Sequence, residues 1–415
     1  MADVKKYDII MMAIFRWDGP YSSTSISLAK EFSKGSRIFY INHPYSWKDY
    51  LQLPKAAHLD ERKADLRKGQ VRYEKDEKLS DNFTSVIPPL TVPINTVPKG
   101  GFYNWLAKNN NAKVVYTIRQ VIKDFDIKEY IFVNCFDPFY ATTLPEDIKP
   151  TLHIYQSVDD ISQSDYIARH GVYLENQAIQ KADLTLTTSS ELFRIKSAFT
   201  KQIHILNNAA DITGFQRALT VDYDRPEELR EIKTLIIGYI GNLDEIRVDY
   251  HLLKRVATEH PNKKLVLIGP INNTIYKEIG LDKMPNVVFL GKKNIDDLPA
   301  YLKYFDCAII PFACNQLTRS IYPLKINEYL AAGKAVVSTA FSEDIRGFSD
   351  SIFLSENETE FVKNIGAAVE SNTPENIAAR VQVAGTNTWA NRVEQFWQIV
   401  NGYLVKGSES TRTTV

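Results

Sequence analysis

Twice along this chain, short and almost wholly apolar runs alternate with stretches of helical spacing, and one polar stretch parts the two series. The first series comprises residues 8–15, 37–41, 130–134, 152–156, 184–188 and 204–206. The second comprises residues 234–240, 264–268, 286–290, 306–310 and 335–338. Runs apolar throughout are strands covered on both faces, and strands alternating with helices predict parallel sheets flanked by helices. The expected class is therefore α/β, with two doubly wound parallel-sheet domains facing a central cleft. The polar stretch 219–228 is the expected linker, and 415 residues exceed one usual core. The reading places an N-terminal domain at residues 1–218 and a second at 232–385.

The stretch 318–339 carries the strongest chemical signal. The apolar run Cys307 to Phe312 reads as a buried parallel strand, followed by a polar loop and by a helix starting near Pro323, a residue suited to a first helical turn. Unpaired N–H groups at such a helix start form an anion site, and Arg319 and Lys325 add positive charge beside it. Glu328 stands three residues after Lys325, so both project from one helix face, and its carboxylate could accept from the two hydroxyls of a ribose. Gly333 ends the helix and the next strand starts at Ala335.

Ligands of open α/β sheets bind beyond the carboxyl ends of strands, which directs attention to other strand ends. The loop from Trp17 to Ser25 contains Gly19, which allows close backbone approach, and serines that could cap the next helix. Asp159 and Asp160 follow the strand at 152–156, either as a pair acting on an acceptor hydroxyl or with one member as a helix cap. Gly241 and Asn242 follow the strand at 234–240, with Arg247 near the next helix start; Gly269, and Gly291 with Lys292, end the two strands after that. His43 follows the strand at 37–41, where a packing role competes with a place in the cleft.

These residues carry a resemblance to a known family. Tyr239-Ile240-Gly241-Asn242, Leu267-Ile268-Gly269-Pro270, Val288-Phe289-Leu290-Gly291, Leu298-Pro299-Ala300-Tyr301-Leu302 and the stretch from Pro323 to Gly333 follow one another in the order of the GT-B glycosyltransferases. The chain resembles their bacterial cell-surface polysaccharide group (group 1, family 4-like). Tyr155-Gln156-Ser157-Val158-Asp159-Asp160, the Asp183 and Thr187-Thr188-Ser189 region and Asn207-Asn208-Ala209-Ala210-Asp211 extend the likeness upstream.

The resemblance implies two Rossmann-like domains and transfer of a sugar, with retention, from a nucleoside-diphosphate sugar to a glycan or lipid-linked acceptor. It implies Asp159, Asp160, Arg319 and Lys325 as catalytic, and Gly19, Gly241, Asn242, Arg247, Gly269, Gly291, Lys292, Thr318, Ser320 and Glu328 around the nucleotide sugar. In one departure, Ser320 stands where the family places a glutamate, eight residues before Glu328. Asp159 and Asp160 alone also fit the metal-binding acidic pair of the other large glycosyltransferase fold. That fold has one nucleotide-binding domain, whereas this chain shows two sheet patterns and cationic phosphate ligands, so neither metal nor cofactor is expected.

Composition narrows the partners. Formal net charge is zero, which gives no support for nucleic-acid binding. Three cysteines, Cys135, Cys307 and Cys314, make neither a disulfide frame nor a zinc site, which fits a reducing cytoplasm. No run approaches the ~20 apolar residues of a membrane span, which leaves peripheral contact with the inner face of a membrane open. From 46 to 110 the alternation fails; the cations between Lys55 and Lys78 could meet lipid headgroups or an anionic acceptor, but interleaved acids favour a solvated face. At the end, Trp389, Val393, Phe396, Trp397, Val400 and Tyr403 form an apolar stripe. The resemblance implies a helix over 386–405 crossing back to the first domain, with a frayed tail from Lys406. Two other functions fit the same pattern: a catalytically idle sugar-nucleotide-binding or scaffold subunit, and an NDP-sugar epimerase or hydrolase.

Overall fold

The computed structural model describes residues 7–19, 23–52 and 57–412, so Pro20 to Ser22 of the first loop and Lys55 lie outside the described residues. The chain divides into two compact units: residues up to 188, 192–206 and from 393 onward form the first, and residues 189–191 and 207–392 the second.

The first unit is built on eight strands: β1 (Asp8–Ala13), β2 (Ile38–Asn42), β3 (Arg72–Glu74), β4 (Phe83–Ile87), β5 (Tyr130–Cys135), β6 (Leu152–Ser157), β7 (Leu184–Thr187) and β8 (Ile203–Ile205). Their order is β3-β4-β2-β1-β5-β6-β7-β8, parallel throughout except for the antiparallel β3–β4 pair. Central β1 aligns Ile10 with Phe39 on one side and Phe132 on the other, and Ile9 to Ala13 are wholly buried. Burial on both faces explains why β1 reads as an unbroken apolar run.

The stretch that broke the alternation contributes β3, β4 and the helices Trp47–Gln52, Ala57–Lys68 and Gly101–Asp124. β4 belongs to the sheet interior, pairing with β2 at Ile38–Phe83. The expected solvated face is partly wrong. Arg62 is buried and donates to Glu74 and to Asp18 of the first loop, while Arg72 pairs with Asp65 and Glu74. Arg62 ties the insertion to the loop after β1, Arg72 is paired within the insertion, and neither guanidinium is free for a lipid headgroup.

The second unit carries β9 (Ile236–Ile240), β10 (Lys264–Ile268), β11 (Val287–Gly291), β12 (Cys307–Ile310), β13 (Val336–Thr339) and β14 (Phe353–Ser355), in the order β11-β10-β9-β12-β13-β14, all parallel. The boundary lies earlier than residue 218 because helix Ile212–Thr220 buries Phe215 and Ala218 in the second core. The last helix, Trp389–Arg412, continues past the expected start of a frayed tail at Lys406. From residue 393 it packs with the first unit: Phe396 and Val400 are buried, and the Phe396 ring stands 4.8 Å from that of Phe32.

Candidate functional site

In the second sheet the chain steps from β9 to β10 on one side and later returns to β12 on the other, which makes the β9–β12 junction a topological switch point. Crevices outside the carboxyl ends of such strands bind ligands. At this junction the Tyr329 hydroxyl bridges the end of β9, accepting from Ile240 N at 2.8 Å and donating to Ile240 O at 3.2 Å. Tyr329 lies on helix Leu324–Ala331, so the same contact fixes Lys325 and Glu328 beside the strand ends. The helix stops where expected, with Gly333 in the left-handed region at φ 69°.

Glycines let the loops close on this helix. Gly241 has φ 157°, and a Cβ there would stand 2.1 Å from Lys325 Cε. A Cβ on Gly269, φ 150°, would meet Gly241 O at 1.8 Å. The three strand ends are stitched in sequence, Gly241 N to Ile268 O at 2.8 Å and Gly269 N to Gly291 O at 2.9 Å. Gly241, Gly269 and Gly291 are thereby brought to one edge. Asn242 and Lys292 are exposed along it.

Lys325 and Glu328 are half-buried, and neither side chain has a hydrogen bond or ion pair among the described residues. The ammonium lies 5.8 Å from the Phe312 ring centre and 6.0 Å from that of Tyr239. Burial lowers the Lys325 pKa, opposed by the Glu328 charge and assisted by Arg247. Burial raises the Glu328 pKa, opposed by Lys325. Two partly desolvated charges left unpaired are costly in a folded chain, and shifted groups of this kind mark functional sites.

Arg247 is more central than its position in the sequence suggested. Its loop is fastened to the end of β12 by Asp249 N to Pro311 O at 2.9 Å and Ala313 N to Arg247 O at 2.8 Å. Asp244 pairs with its guanidinium, and its charge reaches Lys325. Arg319 holds a different place. The expected polar loop before Pro323 contains a one-turn helix, Gln316–Arg319, closed by a reciprocal Asn315–Thr318 capping box. Arg319 is exposed on that turn. Thr318 and Ser320 are buried, with hydroxyls donating within the turn to Ala313 O and to Gln316 O. The expected row of open N–H groups at the helix start is shorter than read: Leu324 N bonds Tyr322 O and Ile326 N bonds Pro323 O.

In the first unit Gly19 sits exposed in a turn closed to Arg16 O at 3.0 Å, and Ser23 caps helix Thr24–Phe32. Asp160 caps the short turn Ile161–Gln163, its Oδ1 accepting from Ser162 N and Oγ at 3.1 and 2.6 Å. Its carboxylate is therefore engaged as a cap, while Asp159 is exposed beside it. A pair the sequence reading did not assemble stands nearby in the fold: His43 Nδ1 lies 2.7 Å from Asp137 Oδ2. Asp137 follows β5, so the strand-end rule that singled out His43 would have found it. Among the described residues no group of three metal-ligating side chains occurs, and no helix is long and apolar enough to cross a membrane.

Residues 234–394 match the sequence profile of the family described as glycosyl transferases group 1. A candidate teichuronic acid biosynthesis glycosyltransferase of Bacillus subtilis, TuaH, is 27% identical over 173 residues, 40% of this chain and 42% of that protein. The match thus spans less than half of that relative's length. Among solved structures, an α,α-trehalose-phosphate synthase (UDP-forming) of Burkholderia vietnamiensis aligns with a TM-score of 0.68 at 10% identity, over 98% of this chain and all of that one. The sucrose-phosphate synthase of Thermosynechococcus elongatus gives 0.63 at 12%, over 96% and 100%. Anabaena HepE, solved with UDP and glucose, gives 0.60 at 14%, over 95% and 99%. These likenesses, with the two parallel-sheet units, establish the GT-B fold.

Proposed function

We propose, taking residues 234–394 as a glycosyl transferases group 1 domain on a GT-B fold, that the protein moves a sugar from a nucleoside-diphosphate donor to a glycan or lipid-linked acceptor in cell-envelope polysaccharide synthesis. The observation that carries this reading is the unpaired Lys325 and Glu328 on one helix face at the β9–β12 switch point, against the Gly241 turn. HepE, with UDP and glucose bound, and the teichuronic acid relative support the donor class and the pathway class.

The residues suit the chemistry. When the bond from the sugar C1 to the diphosphate oxygen breaks, its electron pair stays on the diphosphate. Cations held in place beforehand stabilise that charge more than mobile water does. Lys325 and Arg247 supply them, Arg319 on the turn before the helix is proposed as a third, and no metal is invoked. Glu328 accepts from the ribose hydroxyls. Gly241 lets the diphosphate lie against backbone as well as ammonium. Retention of configuration and a cytoplasmic site of action, with peripheral contact at the inner membrane face, complete the proposal.

The test is turnover of a panel of UDP-, GDP- and ADP-sugars with purified Lys325→Ala and Glu328→Ala. Each variant should lose at least ~10²-fold in kcat/KM while keeping its cooperative unfolding. Near-normal turnover in either removes the assignment. Donor isomerised, or cleaved by water alone at the full rate, would favour the epimerase or hydrolase instead.

A further inference from the structure

At the β9–β12 junction the second sheet opens where both strands continue. β9 matches β10 along its whole length, from Ile236–Lys264 to Ile240–Ile268. Its pairing with β12 is confined to Ile237–Cys307 and Gly238–Ala308, although β9 runs on to Ile240 and β12 to Ile310. The other end of the pair is closed by Asp306, whose N donates to Ile236 O at 2.9 Å and whose Oδ2 accepts from Ile236 N at 2.7 Å. The two strands are thus joined at their start and part at the carboxyl end, where ligand crevices open.

Gly241 N bonds Ile268 O of β10, so by strand alternation the N and O of Ile240 point the other way, toward β12. A ladder that kept pairing would supply their partners. The Tyr329 hydroxyl stands in that place, accepting from Ile240 N at 2.8 Å and donating to Ile240 O at 3.2 Å. A hydroxyl has one proton to give and lone pairs to receive, so it satisfies both buried backbone groups without a strand. Tyr329 is buried, and burial holds its phenol well above the ordinary tyrosine value, so the donated proton stays in place. Lys325 lies one helical turn before Tyr329, on the same face. Its ammonium is flanked by the ring of Tyr239, on β9, at 6.0 Å and by that of Phe312, just past β12, at 5.8 Å. The side chain therefore occupies the gap between the parted strand ends, where attraction to the ring faces offsets lost hydration. Closing the gap would expel it.

We propose that Tyr329 is a positioning residue for the diphosphate: its hydroxyl replaces the next rung between β9 and β12, keeps the strand ends apart and so holds Lys325 in the gap between them. The ligand in this proposal rests on the nucleoside-diphosphate reading given above. The titratable and charged groups that face Lys325 are Glu328 from its own helix, Arg247 and its partner Asp244 from the loop after β9, and Tyr239 from β9. Phe312, past β12, adds no charge. Without the hydroxyl, Ile240 N and O are left to pair with β12 or to stay open. Either outcome removes the contact that fixes the helix, and the lysine returns to water.

The experiment uses the full chain with lysine isotopically labelled at Cε, so that NMR follows each ammonium through its titration; the Lys325 signal is the one absent from Lys325→Met. In the wild type Lys325 should titrate below the exposed lysines, because burial lowers its pKa. In Tyr329→Phe it should move up to join them, and calorimetry should show about tenfold weaker binding of whichever of UDP, GDP and ADP binds the wild type. Tyr304→Phe, which removes a hydroxyl donating to Tyr223 O at 2.6 Å elsewhere in the second unit, should change neither. Thermal unfolding checks that each variant is folded; if Tyr329→Phe is not, Tyr329→His is measured by the same two readouts. The proposal is overturned if Lys325 titrates with the exposed lysines in the wild type or if Tyr304→Phe shows the same losses. It is equally overturned if a folded Tyr329 variant keeps the wild-type titration or stays within about threefold of the wild-type affinity. Failure of the donor reading is separate: none of the three nucleotides then binds the wild type, and the titration alone decides whether the hydroxyl holds the lysine.

Discussion

Two charged pairs, one in each unit, are treated in opposite ways. In the first, Glu175 and Lys196 are both buried and paired at 2.5 Å, with Ser157 Oγ on the second carboxylate oxygen at 2.7 Å. Arg62 likewise divides its guanidinium between Asp18 and Glu74. In the second, Lys325 and Glu328 share one helix face, are pulled toward neutrality by burial, and pair with nothing among the described residues. Satisfied pairs hold architecture together. An unsatisfied pair carries a folding cost, which a chain tolerates where the vacancy serves a ligand.

The sharpest way to break this comparison is the same substitution in both units. Lys196→Met strands Glu175 in the core and should destabilise the protein by about 3–5 kcal/mol in urea unfolding. Lys325→Met should do the reverse, raising stability by about 1 kcal/mol while removing activity, because a half-buried cation without a partner gives way to an apolar side chain of similar length. If both variants lose stability alike, Lys325 is an ordinary structural lysine.

A second prediction concerns the turn against which Lys325 lies. Gly241→Ala brings a Cβ within 2.1 Å of Lys325 Cε, which can move aside, and 2.8 Å of the buried Tyr239 hydroxyl, which must give by a few tenths of an ångström. Stability should fall by only ~1 kcal/mol, the usual penalty for strain at an unfavourable φ. Nucleoside-diphosphate affinity should fall about tenfold or more, measured by calorimetry, because the ammonium is displaced. In Gly269→Ala the added atom meets the Gly241 carbonyl, which cannot step aside, so thermal unfolding should show a larger loss than for Gly241→Ala.

The smallest effect is on pH dependence. Lys325 has its pKa lowered, so its charge is present at low pH and is lost as pH rises through that lowered value. Glu328 has its pKa raised, so it is ionised at high pH and gains a proton as pH falls through the raised value. Nucleoside-diphosphate affinity should therefore be greatest between the two and decline on either side. Lys325→Ala should remove the decline on the alkaline side, and Glu328→Gln that on the acid side.

Legibility in the sequence followed the same division. Five of the six parallel strands of the second unit read directly, because burial on both faces writes Ile236–Ile240 and Cys307–Ile310 as apolar runs, whereas the short, half-buried Phe353–Ser355 at the sheet edge does not. β4 did not, since its Phe-Thr-Ser-Val-Ile places polar side chains in the sheet, where Asn42 Nδ2 reaches Ser85 Oγ and Val86 O at 2.9 Å. Helix Gly101–Asp124 was hidden by its Asn109-Asn110-Asn111 run. Asn110 bonds both N and O of Val92, and Asn111 accepts from Ala141 N, so tertiary contacts override local preference there.

Within the candidate site, Gly241, Lys325 and Glu328 could be grouped from spacing and strand order. Spacing sets Arg247 apart from the group, because it lies several residues beyond Gly241, and the one-turn helix that Asn315 and Thr318 close around Arg319 is not legible in the polar run. Of the two roles the sequence leaves open for the Asp159 and Asp160 pair, the cap is the one Asp160 shows, and the partnership of Asp137 with His43 is not legible because 94 residues separate them.

The measurement that bears most directly on the central claim is calorimetric titration of UDP, GDP and ADP into the wild-type chain and into Lys325→Met. The account predicts that at least one of the three binds the wild type and binds the folded variant at least tenfold more weakly, about 1.4 kcal/mol. Equal affinity in both chains, or no binding of any of the three to the wild type, would contradict it.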